Sequence, residues 1–218
     1  MSAHGYDAAT AGRHLVLGWR WPRAAMREAA GIDEGGRLCL VLLSTAFVVL
    51  TDPSENGFVR LVAAKAVNTG TSAVTLGQIA LLGAASLLLA LVFYVLMAGA
   101  LWLLTRRGAA EPPFAVLRSV VAVASWVSTA PVVVATLIGS VTGLDLAGAI
   151  LFLGLCTVYT ALCLSEATGL DARAATRRTF GSVILATVAS GIAAVGGIGF
   201  YKALIPDEAT TIVGKKAP

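Results

Sequence analysis

Five long apolar runs, nearly free of charge, dominate this chain of 218 residues. They cover about residues 35–51, 73–105, 114–141, 144–165 and 180–204. A helix needs roughly 20 apolar residues to cross a hydrocarbon core of about 30 Å. The first run is barely long enough and stops at Asp52-Pro53, where a helix continues with difficulty. The second exceeds thirty residues, so it must tilt or project beyond the bilayer. None alternates with the two-residue period of a barrel strand. Composition agrees, at 57% hydrophobic and 13% charged, where soluble domains hold roughly 45–50% and 25%. The expected fold class is all-α, a polytopic integral membrane protein with five transmembrane helices over residues 35–205. An N-terminal cytoplasmic arm with an interfacial amphipathic helix (1–34) precedes them, and a polar tail (206–218) follows.

Residues 1–14 lack the apolar core and cleavage site of a signal peptide, so the first run is expected to remain as an anchor. Residues 15–31 read as an amphipathic surface segment. Pro22 suits a first helical position, a short helix continues over 23–30, and Gly31 stops it. Trp19, Arg20, Trp21, Arg23 and Arg27 are the expected membrane-surface anchors, because indole rings and arginines suit the headgroup layer. The alternative is an arm folded on the protein's own cytoplasmic face.

The connections differ in kind. Residues 52–72 hold a turn signal and a short stretch at interfacial-helix spacing. Residues 106–113 form a charged break with a double proline, and 166–179 form the most charged connection. Gly143 and Asp145 mark a tight turn, so the third and fourth runs are expected to pair as an antiparallel hairpin. Of the sixteen Lys and Arg, eleven fall on the side that carries the N-terminus. The positive-inside rule then places the N-terminus in the cytoplasm and the C-terminus in the periplasm. Abundant Ala and the excess of Arg over Lys suit a bacterial inner membrane.

Catalytic constellations are scarce. No Walker loop, HExxH or GxSxG motif occurs, and no acidic pair lies deep in an apolar run. No enzymatic activity is expected. The net charge of +4 is spread in clusters between the runs, which is a topology signal and gives no reason to expect a nucleic-acid partner. Cys39, Cys156 and Cys163 sit in apolar runs without CxxC spacing and read as small buried hydrophobes. His4 and His14, both near the N-terminus, leave no histidine in an apolar run to hold a haem or chlorophyll. Bound lipid is the one non-protein component expected. Gln78 reads as an interhelical hydrogen-bonding or interfacially solvated group, with a substrate contact as the alternative.

Two helices carry unusual residues. In the third run, Ser125, Trp126, Ser128, Thr129 and Pro131 lie near mid-depth. Pro131 removes a donor from the carbonyl of Val127, and the nearby hydroxyls can serve the disturbed backbone. A structural kink is the favoured reading, and a ligand or partner cleft is the alternative. In the fifth run, Ser182, Ala186, Ser190 and Ala194 recur every four residues beside Ala189, Ala193 and Gly197. Small residues so spaced let helix backbones approach closely in lipid.

The order of features resembles bacterial Yip1-domain membrane proteins. A basic arm (Trp21-Pro22-Arg23-Ala24-Ala25-Met26-Arg27) leads to Gly35-Gly36-Arg37 and then five spans. The third span resembles theirs in Ala124-Ser125-Trp126 leading to Ala130-Pro131, and Glu166 to Gly181 resembles their basic entry to the last span. The acidic and Tyr-Gly signatures of the eukaryotic members, which imply Rab binding, are not evident. The resemblance implies no enzymatic activity. The missing catalytic groups, the small-residue helix faces and the basic inner surface suggest a protein of this kind that organises or accompanies a membrane protein assembly, with lipids and other integral membrane proteins as partners. Three alternatives compete. The chain is an accessory subunit at the edge of a large bioenergetic complex, a small-molecule or lipid transporter opened at Pro131, or a lipid enzyme using Glu166 and Asp171.

Overall fold

The structure, a computed structural model, describes residues 6–51, 76–106, 111–142 and 145–204. The stretch at 52–72 and the tail lie outside the described residues. Seven helices form among those described: α1 (Ala8–Leu17), α2 (Pro22–Glu28), α3 (Glu34–Thr51), α4 (Leu76–Thr105), α5 (Phe114–Thr142), α6 (Asp145–Thr168) and α7 (Ala172–Leu204).

Local chemistry sets the helix ends. The Asp7 carboxylate accepts from Thr10 N at 2.8 Å and caps α1. Pro22 opens α2 at its first position. Asp33 caps α3 by accepting from Gly36 N at 2.8 Å. The Pro112-Pro113 pair precedes α5, whose first turn closes from Val116 N to Pro113 O at 2.9 Å. Gly169, at φ 69°, ends α6 in the left-handed conformation that glycine tolerates best.

The arm differs from the single helix expected after residue 15. It is a pair of helices, and each hides a stripe at helical spacing. On α1 and at its C-cap, His14 and Gly18 are buried while Ala11 and Leu15 are half-buried; on α2 and just beyond it, Pro22, Ala25, Met26 and Ala29 are buried. α1 packs on α5, and α2 packs on both α5 and α6. The last helix also starts earlier than the apolar run. The basic stretch expected as a connection coils into α7 because Asp171 accepts from Ala174 N at 3.1 Å and because Ala175 and Thr179 are buried.

The five longer helices form a closed ring in the order α3, α5, α6, α7, α4, and α5 also touches α4 across it. α5 and α6 make the most extensive pair, in keeping with the expected hairpin. α5 is the hub, since it meets three ring helices and both arm helices. Contacts fix the shared end of the ring. Glu34 on α3 reaches Arg118 on α5 at 2.7 Å, and Gly181 on α7 lies against Leu104 on α4. The described core, including Leu40, Leu101, Leu117, Val123, Leu164 and Ala175, gathers towards that end.

Elsewhere the ring exposes its apolar side chains, among them Leu88 and Val95 on α4, Val134 and Ile138 on α5, Ile150 on α6 and Val188 on α7. Exposed leucine and valine on this scale suit lipid rather than water. Glu34–Thr51, Leu87–Thr105 and Phe114–Ile138 are each long and apolar enough to cross a membrane.

Candidate functional site

The residues singled out on the third run meet the arm. α5 continues as a helix through Pro131. Trp126, 4% exposed, donates from Nε1 to the Ala11 carbonyl of α1 at 2.8 Å. Phe47 of α3 meets the same indole edge-on, with ring centroids 6.3 Å apart. Gly18 is packed against Val127. Ala11 and Gly18, about 10 Å apart along α1, thus meet consecutive residues of α5, so α1 lies across that helix. Trp126 joins α1, α3 and α5.

The hydroxyls of this segment serve a different carbonyl from the one expected. Ser128 and Thr129 donate to Ser125 O at 3.1 and 2.9 Å, and Ser44 of α3 donates to the same oxygen at 3.0 Å. Ser44 Oγ also lies 2.8 Å from Thr129 Oγ1, so either hydroxyl can turn its single proton from Ser125 O to the other. A helical Ser or Thr bonds back three or four residues. The carbonyl of Val127 would therefore need a hydroxyl at 130 or 131, where the chain has Ala and Pro. What results is a polar tie between α3 and α5.

A second polar cluster closes the arm, and its histidine is 4% exposed. His14 Nε2 lies 2.8 Å from Glu28 Oε2, and His14 Nδ1 lies 3.0 Å from the Tyr6 hydroxyl. Every partner is used if Tyr6 donates to Nδ1 and Nε2–H donates to Glu28. Arg13 also pairs with Glu28. Burial first, and the Glu28 charge second, push the Tyr6 phenol above its ordinary value. These residues escaped sequence reasoning, although Ala11, His14, Leu15 and Gly18 already stand at helical spacing.

The expected surface anchors divide in two. Trp19 and Trp21 are exposed, and Arg20 stacks over the Trp19 ring with Cζ 5.2 Å from its centroid. Arg23 is exposed as well. Arg27 instead reaches Glu166 at 3.2 Å. Backbone carbonyls on this side of the arm are held by α6, since Tyr159 donates to Trp19 O at 3.1 Å and Cys163 Sγ lies 3.8 Å from Pro22 O.

At the start of the ring Glu34 bridges two cations. Its oxygens accept from Arg37 at 2.8 Å and Arg118 at 2.7 Å, and Arg37 Nε donates to Ser119 at 2.8 Å. On α7, Ser182 and Ala186 are buried, and Ala189 and Ser190 are half-buried, on a helix that packs against α4 and α6. The side chains of Ala193, Ala194 and Gly197 lie outside the described residues, as does that of Gln78.

Several carboxylates are committed to structural bonds. Glu28, Glu34 and Glu166 are in ion pairs, while Asp33 and Asp171 cap helices. Among the described residues, no cluster of three His, Cys, Asp or Glu side chains could hold a metal. Cys163 is buried and Cys156 is intermediate, but Cys39 corrects the reading of buried thiols. It is exposed, on the opposite side of α3 from the buried Val41 and Ser44. No family model matches the chain, and neither any curated protein nor any solved structure is similar to it.

Proposed function

We propose that this chain is a non-catalytic integral membrane protein of the bacterial Yip1-domain kind, organising or accompanying an assembly of other membrane proteins. It crosses a bacterial inner membrane five times, with its N-terminus in the cytoplasm and its C-terminus in the periplasm. The observation that carries this reading is the uneven packing of the ring. One end, where the arm docks, is tightly buried and laced with ion pairs, whereas large aliphatic side chains along all five ring helices stay uncovered. A rigid end beside a broad apolar belt supports a protein that is held in lipid and docks through its helix faces. Among the described residues, Glu28, Glu34 and Glu166 are occupied by arginine or histidine, and Asp33 and Asp171 by helix N-termini, which leaves these carboxylates poorly placed for general acid–base chemistry.

Affinity isolation of the full chain in a mild detergent, followed by mass spectrometry, tests the reading. Co-purification of a defined set of integral membrane proteins is the expected result. A monodisperse, partner-free monomer that drives solute flux in liposomes would overturn it in favour of a transporter.

A further inference from the structure

A groove of about 480 Å³ runs between the turn joining α1 to α2 and the outward face of α6. Its volume falls within the roughly 300–1,000 Å³ of small-ligand sites. Its two walls differ sharply. On α6 the lining is apolar from Ile150 to Val158 and smooth at Gly154. On the arm the lining is Trp19, Arg20 and Pro22, with Tyr159 where the walls meet.

We propose that this groove binds one anionic phospholipid of the inner leaflet, its phosphate on Arg20 and one acyl chain along α6 from Val158 to Ile150. Three observations converge on that occupant. First, Arg20 is exposed and stacked on Trp19, and among the described residues no carboxylate pairs with it. Arg13, Arg27, Arg37 and Arg118 all have such partners. A guanidinium fork held by an aromatic ring is preorganised for a phosphate. Second, the apolar wall from Val158 to Ile150 is about 12 Å long and leads from the arm into the exposed aliphatic side chains of α6, where an acyl chain can lie. Third, Trp19 and Tyr159 stand between the charged and apolar ends, where amphipathic rings meet the headgroup boundary. Charge, ring and aliphatic wall therefore follow the order of a lipid's own parts. Placing the occupant in the inner leaflet rests on the membrane orientation proposed above.

Gly154 makes the idea testable without disturbing the fold. A β-carbon there would meet nothing within 4 Å, so Gly154→Leu fills the groove and leaves the core untouched. Gly99 on α4, half-buried but also with nothing within 4 Å of an added β-carbon, lies away from the groove, so Gly99→Leu is the control. The full chain is reconstituted in nanodiscs of equal phosphatidylglycerol and phosphatidylcholine, and retained lipid is counted by native mass spectrometry. Wild type should keep one phosphatidylglycerol, preferred by about tenfold over phosphatidylcholine. Gly154→Leu should lose about tenfold in retention, and Gly99→Leu should match wild type. Arg20→Gln should abolish the headgroup preference while Arg20→Lys keeps most of it. Equal retention of both lipids by wild type, or undiminished phosphatidylglycerol on Gly154→Leu, would overturn the proposal. So would free inorganic phosphate displacing the lipid, because the acyl chain would then contribute nothing. Alkaline carbonate washing of native membranes separates the two ideas. A chain that stays in the membrane but retains no phosphatidylglycerol sinks only the groove, whereas a chain that washes out sinks the membrane reading too.

Discussion

A methyl group added at Gly36 would meet Ile32 Cγ1 at 2.7 Å and the capping Asp33 Oδ1 at 2.9 Å. At Gly35 the nearest atom would be 3.9 Å away. Neighbouring glycines therefore have opposite expectations. Gly36→Ala should cost about 1 kcal/mol by displacing the cap. Gly35→Ala should be neutral or gain up to about 1 kcal/mol from helix propensity. Thermal unfolding of both variants in detergent, read as Tm against wild type, checks the pair. Trp126 separates in a similar way. Trp126→Phe keeps an aromatic ring but loses the bond to Ala11 O, which should cost about 1 kcal/mol. Trp126→Ala also empties a buried site and should cost about 3–5 kcal/mol. The sequence marked Trp126 as unusual because an indole away from the interface needs a partner. Its partner was hidden, since a backbone carbonyl on a polar helix more than a hundred residues away leaves no mark in composition. The hydroxyls at 128 and 129 were legible as backbone donors, but the i−3 and i−4 rule decided which carbonyl they reach.

At the scale of elements, the arm is an integral packing unit joined to α5 and α6. Its sequence looks too polar for that role. Hydrophobicity alone underrates a stripe made of Ala11, His14, Leu15 and Gly18, where a histidine is buried by giving both ring nitrogens partners. Tyr6 adds a pH dependence whose sign is fixed. Its phenol is raised above the ordinary value of 10 in the folded arm. The neutral form is therefore favoured on folding, and that contribution is complete below pH 10 and is lost as pH rises beyond it. Between about pH 9 and about pH 11 the Tm of wild type should fall further than that of Tyr6→Phe, which keeps the ring but cannot ionise. Equal declines would remove Tyr6 from the account. The start of α7 followed a similar course. Three arginines made 172–179 read as a connection, yet Asp171 and the buried Ala175 and Thr179 supply a cap and a packed stripe.

Across the whole molecule, the long apolar runs made the helical class readable from the start, whereas α7 begins about eight residues before its run. The ring order was not readable, because closure depends on which faces meet, and uniformly aliphatic helices carry little directional pattern. The ion pairs joining residue 27 to 166 and residue 34 to 118 are equally silent in sequence, being set by three-dimensional neighbourhood. Both nevertheless lie on segments that the charge count assigned to one side of the membrane. Fusing a cytoplasm-active and a periplasm-active reporter in turn to Met1 and Pro218 tests that orientation directly. Five crossings with the N-terminus inside, as proposed, require the N-terminal fusion to be active only in the cytoplasm and the C-terminal fusion only in the periplasm; the reverse pattern would contradict the orientation. Activity of both ends in one compartment would contradict the five-span arrangement, and with it the placing of the arm against the inner face.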